Sequence, residues 1–273
     1  MTRVRAVLFD IDGTLLPFGQ RGVPAQTVRR IRTLRAQGVA VIAATGRSSF
    51  VLGPWLLGEF WPDYTVCSNG AEVLDGGRRR IYENRLSGAE VGRLTDFCER
   101  EGLILSFPFE DGYGVYTGYA AYCAAAEAAG RAGRFDPAGE SIYDGFVHDC
   151  PGRDRHLRSL PFGAVLHGVP QGMRFPPELS DFQFVPFHAG SYDVYRAGID
   201  KARTAQWLLA RLGIPLAEAA AVGDGANDLP LLRACGVGIA MGGAGEELRR
   251  AADFVVAPAE QDGVLEALDR LGL

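Results

Sequence analysis

The sequence predicts an α/β chain: a doubly wound parallel sheet with an α+β domain inserted into it. Short apolar runs recur at Arg5–Asp10, Val39–Ala44, Thr65–Cys67, Ala219–Val222, Gly238–Met241 and Phe254–Val256. They are continuous rather than alternating, as strands buried on both faces of a parallel sheet are. Amphipathic segments lie between them, which is the pattern of a sheet covered by helices on both sides. The domain organisation follows from where the polar clusters fall. Those at strand ends lie within residues 1–83 and 190–273, and the domain-sized stretch 84–189 carries none.

Taken in order, the first strand runs through VRAVLF and stops at Asp10, followed by Asp12, Gly13 and Thr14. Pro24–Gln37 then reads as a helix with Val28, Ile31 and Leu34 inward and Gly38 as its stop. The strand Val39–Ala44 leads into Thr45, Gly46 and Arg47. In the inserted stretch, Leu86–Gly102 is helical, and Leu103–Phe109 and Tyr113–Thr117 form a hairpin around Asp111–Gly112. Tyr119–Ala129 is a second helix, and strands return at Ala164–Val169, Phe182–Phe187 and Tyr192–Tyr195. The result is an antiparallel sheet backed by helices. Back in the flanking half, Asp200–Leu212 is helical through Ala205, Leu208, Leu209 and Leu212, with Gly213 as its stop.

Four blocks carry chemistry. Asp10 and Asp12 stand two residues apart at a strand end, where active sites of parallel sheets lie. Their mutual repulsion calls for a cation or a shared proton, which points to Mg²⁺ and acid/base work. The plain alternative is a strand followed by an Asx-type turn. Lys201 is the only lysine among 28 basic residues. It sits in the first turn of its helix, where its charge opposes the helix dipole, so an anion nearby accounts for it best. Ala219–Leu232, AAAVGDGANDLPLL, gathers Asp224, Asn227 and Asp228 at another strand end; Asn227 or Asp228 can also cap the helix that holds Pro230. Thr45 and Gly46 offer a hydroxyl and a backbone N–H suited to a phosphate oxygen.

In this order, FDIDGTL, the threonine of ATGR, the lysine at 201 and GDGAND resemble the haloacid dehalogenase (HAD) superfamily of phosphatases, and SNGA at Ser68–Ala71 resembles its Cof-type subgroup. The resemblance spans residues 4 to 256 by order and spacing. One departure is Lys201-Ala202, where the subgroup has Lys-Gly. The resemblance implies a HAD-like, Rossmannoid core (1–83 and 190–273) and a subclass IIB cap (84–189) that sets substrate specificity. It implies Asp10 as nucleophile, Asp12 as acid/base, and Lys201 as a charge beside them. Thr45, Gly46, Asn227 and Asp228 are implied at the phosphate, Asn227 and Asp228 orienting phosphate, metal waters or Lys201, with Mg²⁺ on Asp10, the Asp12 backbone carbonyl and Asp224. The implied activity is a phosphatase acting on small phosphorylated metabolites through an aspartyl-phosphate, with sugar phosphates first and nucleotide or cofactor phosphates (flavin mononucleotide, pyridoxal phosphate) next. A phosphotransferase or phosphomutase is the alternative. A carbon–halogen hydrolase leaves Asp12 without a role, and a non-catalytic binder leaves the retained acids and lysine unexplained.

Composition narrows the partners. The formal net charge is −5 and the arginines are scattered, which argues against a nucleic-acid surface; Arg78-Arg79-Arg80 reads as a solvated hairpin end. Five cysteines without CxxC spacing read as reduced, mostly buried residues of a cytoplasmic protein, with Cys235 packing a helix end. No signal-peptide pattern precedes the first strand, and Tyr119–Ala129 is too short to span a bilayer. His148, His156, His167 and His188 all fall in the insert without metal spacing, which argues against a zinc hydrolase. The stretch from His148 to His156 reads as a polar loop, either solvated or reaching toward substrate.

Overall fold

The computed structural model describes residues 3–20, 22–131 and 146–273. Its strands and helices run in chain order: β1 (Ala6–Phe9), α1 (Ala25–Ala36), β2 (Ala40–Ala44), α2 (Pro54–Leu57), β3 (Tyr64–Cys67), β4 (Glu72–Asp75), β5 (Arg80–Glu83), α3 (Gly88–Arg100), β6 (Ile104–Pro108), β7 (Tyr113–Thr117), α4 (Tyr119–Arg131), β8 (Val147–Asp149), β9 (Ala164–His167), β10 (Phe182–His188), β11 (Ser191–Arg196), α5 (Lys201–Arg211), β12 (Ala219–Gly223), α6 (Leu229–Ala234), β13 (Val237–Ala240), α7 (Glu246–Ala251), β14 (Phe254–Val255) and α8 (Gly263–Leu271).

The chain divides into two compact units, one of Met1–Ser48, Leu52–Tyr82 and Asp200–Leu273, the other of Ser49–Val51 and Glu83–Ile199. The first holds an eight-stranded sheet in the order β14-β13-β12-β1-β2-β3-β4-β5. Each adjacent pair from β14 to β3 is parallel. Side chains alternate between the faces. Val7, Phe9, Val41 and Val222 pack against Val28, Ile31 and Leu34 of α1 and Val264 and Leu268 of α8. Ala6, Leu8, Ile42 and Ala221 pack against Ala205, Leu208 and Leu209 of α5 and Leu231 of α6. Strands this thoroughly buried must be apolar on both sides, which is why they read as unbroken runs.

Strands β4 and β5 are absent from the sequence reading. β4 runs antiparallel to β3, and it includes Glu72, a carboxylate with no solvent exposure. The expected solvated arginine turn is only partly that. Arg78 lies 4.0 Å over the Trp61 ring, and the Arg80 guanidinium reaches the buried Glu72 carboxylate at 3.2 Å.

The second unit holds a six-stranded sheet, β10-β11-β9-β6-β7-β8. It is antiparallel except that β8 joins β7 in parallel. Helix α3 lays Val91, Leu94, Phe97 and Cys98 on it. A capping box fixes that helix's start, with the Ser87 hydroxyl accepting from the Glu90 N–H while the Glu90 carboxylate accepts from the Ser87 N–H. Two expectations need correction. The boundary placed at 189/190 moves to 199/200, because β11 pairs with both β9 and β10 and so belongs to the inserted unit. The stretch from His148 is not wholly loop, since Val147–Asp149 is a strand and His156 Nδ1 meets the Tyr116 hydroxyl at 3.1 Å.

Among the cysteines, Cys67, Cys98 and Cys235 are buried, Cys150 is half-buried and Cys123 is exposed. Cys235 ends α6, as expected. No helix among the described residues is long and apolar enough to cross a membrane.

Candidate active site

Four neighbouring strands of the first unit, β12, β1, β2 and β3, end side by side; the C-terminal ends of β12, β1 and β2 carry the GDGAND, Asp10–Asp12 and Thr45–Gly46 blocks, and the end of β3 carries the Ser68–Gly70 turn. Parallel pairing brings this about. Asp10 N–H donates to Val222 O at 2.9 Å and Thr45 N–H donates to Val66 O at 2.8 Å, so each loop leaves its strand at the level of the next. Crevices at such strand ends are where open α/β sheets bind ligands.

Lys201 lies at the centre. It is 1% exposed, and its Nζ donates to Asp10 Oδ1 and to Asp228 Oδ1, both at 2.7 Å. The helix places it there: Asp200 caps α5 by accepting the Arg203 N–H at 2.7 Å, so Lys201 is the first residue of the first turn. Burial works against its charge, but the two carboxylates outweigh burial and hold the ammonium's pKa above its ordinary value. The lone lysine thus has the anions its position required.

Carboxylate oxygens of Asp10, Asp224 and Asp228 lie within 4.8 Å of one another. One ammonium does not balance three such acids. Burial and then the Asp228 charge raise Asp10 well above the usual carboxylate range, with Lys201 pulling the other way. Burial and then Asp228 push Asp224 up to about 7, although the Thr14 hydroxyl donates to its Oδ1 at 2.9 Å. Gly13 is required here, since it has φ +76° and a Cβ on it would lie 2.3 Å from Asp224 Oδ2. The donors are all oxygen and one ammonium leaves the three acids short of positive charge, so these residues fit a hard divalent cation. No histidine belongs to the cluster.

Asp228 meets Lys201, one of the partners the resemblance implies for it. It is 1% exposed, and while Oδ1 takes Lys201, Oδ2 accepts the N–H groups of Asp224 and Gly225 at 3.1 and 3.0 Å. Its side chain therefore braces the GDGAND loop and makes no side-chain cap to α6. Asp12 stands apart from the acid cluster. Its two oxygens accept from Arg47 Nε and Nη2, both at 2.7 Å, a bidentate pair with the aspartate side chain 35% exposed. Thr45 is buried, with its Oγ1 accepting the Arg47 N–H at 3.1 Å. Asn227 Nδ2 donates to Asn69 Oδ1 at 2.8 Å.

Thr14, Arg47 and Asn69 are thus drawn into the site without having been assigned a role from sequence. A signal for Arg47 was present, since an arginine directly after a strand-end Thr-Gly has a short reach to acids on the next strand. Thr14 and Asn69 had none beyond membership of their motifs.

The sequence profile of the haloacid dehalogenase-like hydrolases matches residues 7–131 and 173–268. The chain is 28% identical over 269 residues to a Bacillus subtilis protein named as a phosphatase, covering 98% of each. It is also 28% identical over 272 residues to a Streptococcus pyogenes protein named as a bifunctional phosphatase and peptidyl-prolyl cis-trans isomerase, and it spans 54% of that protein's length. The solved structure of a HAD subclass IIB sugar phosphatase superposes with a TM-score of 0.79 at 24% identity, over 98% of this chain and 99% of that one. With the profile matching well over half of its length, the chain belongs to the haloacid dehalogenase-like hydrolase family and has the fold of that family's phosphatases.

Proposed function

We propose that this hydrolase is a Mg²⁺-dependent phosphatase of small phosphorylated metabolites, with sugar phosphates its first substrate class, working through an aspartyl-phosphate on Asp10. The observation that carries the reading is Lys201 bridging Asp10 and Asp228 at 2.7 Å beside the third carboxylate, Asp224. The sugar-phosphate preference is supported by the fold shared with a sugar phosphatase.

Asp10 is the nucleophile. One of its oxygens attacks phosphorus in line, and the bond to the leaving oxygen breaks. Asp12 gives that oxygen its proton and, in the second half, takes one from the water that attacks phosphorus and frees Asp10. Arg47 orients the ionised Asp12 carboxylate, the form that takes the water's proton in the second half; for the first half one Asp12 oxygen releases Arg47 and carries a proton taken from solvent, which it then gives to the leaving oxygen. Thr45 and the Gly46 N–H receive equatorial phosphate oxygens, and Asn227 a further one. Lys201 steadies Asp10 between turnovers and adds positive charge at the phosphate. Asp10, the Asp12 backbone carbonyl and Asp224 would hold Mg²⁺, which when bound offsets the repulsion between a carboxylate nucleophile and a phosphate dianion. The inserted unit supplies the choice of leaving group.

The test is free-phosphate release from a panel of sugar phosphates, flavin mononucleotide, pyridoxal phosphate and phosphoglycolate, with Mg²⁺ and with a chelator. Release with Mg²⁺, strongest for hexose or pentose phosphates and lost on chelation, is expected. Phosphoryl transfer to a sugar acceptor without free phosphate would replace the reading with a phosphotransferase, and release insensitive to chelation would remove the metal from it.

A further inference from the structure

The turn Ser68–Gly70 follows β3 and has a conformation that needs a reason. Ser68 and Asn69 both have positive φ, 50° and 49°. Two successive L-residues in the left-handed region persist only where their surroundings hold them. Both are buried, at 0% and 3% exposure. The Ser68 hydroxyl donates to the buried Glu72 carboxylate at 3.1 Å.

What the turn touches is informative. Ser68 N–H donates to Arg47 O at 2.8 Å and Asn69 N–H to Thr45 O at 3.0 Å, so the ATGR loop hangs from this backbone. A Cβ on Gly46 would lie 3.1 Å from Asn69 Nδ2, which puts the carboxamide directly against the loop expected to hold phosphate. On its other side Asn69 Oδ1 accepts from Asn227 Nδ2 of the GDGAND loop at 2.8 Å. The next residue reaches the lysine helix. Gly70 O accepts from Thr204 Oγ1 at 2.8 Å, and at φ +107° a Cβ on Gly70 would lie 2.4 Å from Asp200 O. One strained turn therefore meets three of the four chemistry-bearing blocks and belongs to none of them.

We propose that Asn69 is a positioning residue for phosphate: its carboxamide sets the orientation of Asn227 and the height of the Thr45–Gly46 loop together, so that both present their donors to one anion. The inference rests on the phosphatase reading for the identity of that anion. The left-handed backbone at Asn69 is what aims a short carboxamide between two loops, and asparagine is among the few side chains that tolerate it. A purely structural turn would be served as well by glycine.

Substitution by glycine supplies the test, because Asn69→Gly keeps the backbone conformation and removes only the carboxamide. Inorganic phosphate binding in the presence of Mg²⁺ is measured by calorimetry for the wild type, Asn69→Gly, Asn227→Ala and the double variant, alongside KM, kcat and Tm. The expected result for Asn69→Gly is phosphate affinity weakened about tenfold and KM raised to match, the loss of one hydrogen bond's worth of orientation. Tm should hold within a few degrees. If Asn69 acts through Asn227, the double variant should bind phosphate no worse than the weaker single variant. Wild-type phosphate affinity in Asn69→Gly, or losses that multiply in the double variant, would overturn the proposal. A wild-type protein that binds phosphate but frees none from any ester would sink the phosphatase reading and leave the Asn69 comparison standing. A wild-type protein that does not bind phosphate would overturn both.

Discussion

Lys201 is held by two carboxylates at 2.7 Å and is 1% exposed, so its site has room for an ammonium and no more. A guanidinium keeps the charge but is broad and planar. Lys201→Arg should therefore lower kcat/KM about a hundredfold, the usual cost of a lost charge-stabilising contact. It should also lower Tm, since overpacking a buried position costs about 1–3 kcal/mol. Steady-state kinetics and calorimetry on the same preparation check both, and a variant within a small factor of wild type would place Lys201 outside the reaction. The one-lysine composition singles out a residue that is buried between two carboxylates, while the other basic residues are all arginine. The pairing of Arg47 with Asp12 was less legible. It depends on β1 and β2 being neighbours in register, Phe9 opposite Ala43, and that is a property of sheet order rather than of either motif.

At the scale of elements, α5 shows how a cap serves the site. Asp200 accepts the Arg203 N–H at 2.7 Å and so fixes where the first turn begins, and Lys201 follows directly. Asp200→Ala should cost about 1 kcal/mol of stability and reduce turnover by loosening Lys201. Lost stability with unchanged kcat/KM would show that the lysine keeps its place without the cap. The long strands and helices were readable because their apolar residues follow the sheet or helix period, as Val28, Ile31 and Leu34 do in α1. β4 and β5 were not, because the charged Glu72 and Arg80 occupy them and pair, the Glu72 carboxylate fully buried and Arg80 half-buried. Ion pairs that bury charge erase the hydrophobic pattern on which such reading depends. β8 escaped for another reason: it is a three-residue edge strand whose partner, β7, is far from it in sequence.

For the whole molecule, the acid cluster should make stability depend on pH and, under the proposed function, on metal as well. Asp224 sits at about 7 when folded, against an ordinary value of 3.8. It therefore holds its proton more tightly in the native state than in the unfolded one. The stability this contributes is complete below the unfolded value and is lost as pH rises through about 7. Above that range the proposed cation would take the proton's place. The rise in Tm on adding Mg²⁺ should accordingly be larger at pH near 8 than near 6, and an equal rise at both would contradict the electrostatic account of the cluster. The division into two units follows the same logic of legibility. The absence of reactive motifs marks the insert, but motif positions alone end it at 189/190 rather than 199/200; the strand read at Tyr192–Tyr195 goes with the antiparallel strands of the insert, because β11 pairs with β9 and β10.

Asp10 carries the central claim, and the same cluster explains why it is a costly residue to keep. Its raised pKa means that the ionised side chain is disfavoured in the metal-free fold, by burial first and Asp228 second. Asp10→Asn should relieve that charge without changing shape, so the metal-free variant should match or exceed the wild-type Tm at pH 8. An intact fold makes its activity interpretable. The most direct measurement is free-phosphate release by Asp10→Asn beside wild type, with saturating Mg²⁺ and the best substrate of the panel. The account predicts a fall of at least about a thousandfold, as loss of a covalent nucleophile gives; release within tenfold of wild type from a folded variant would contradict it.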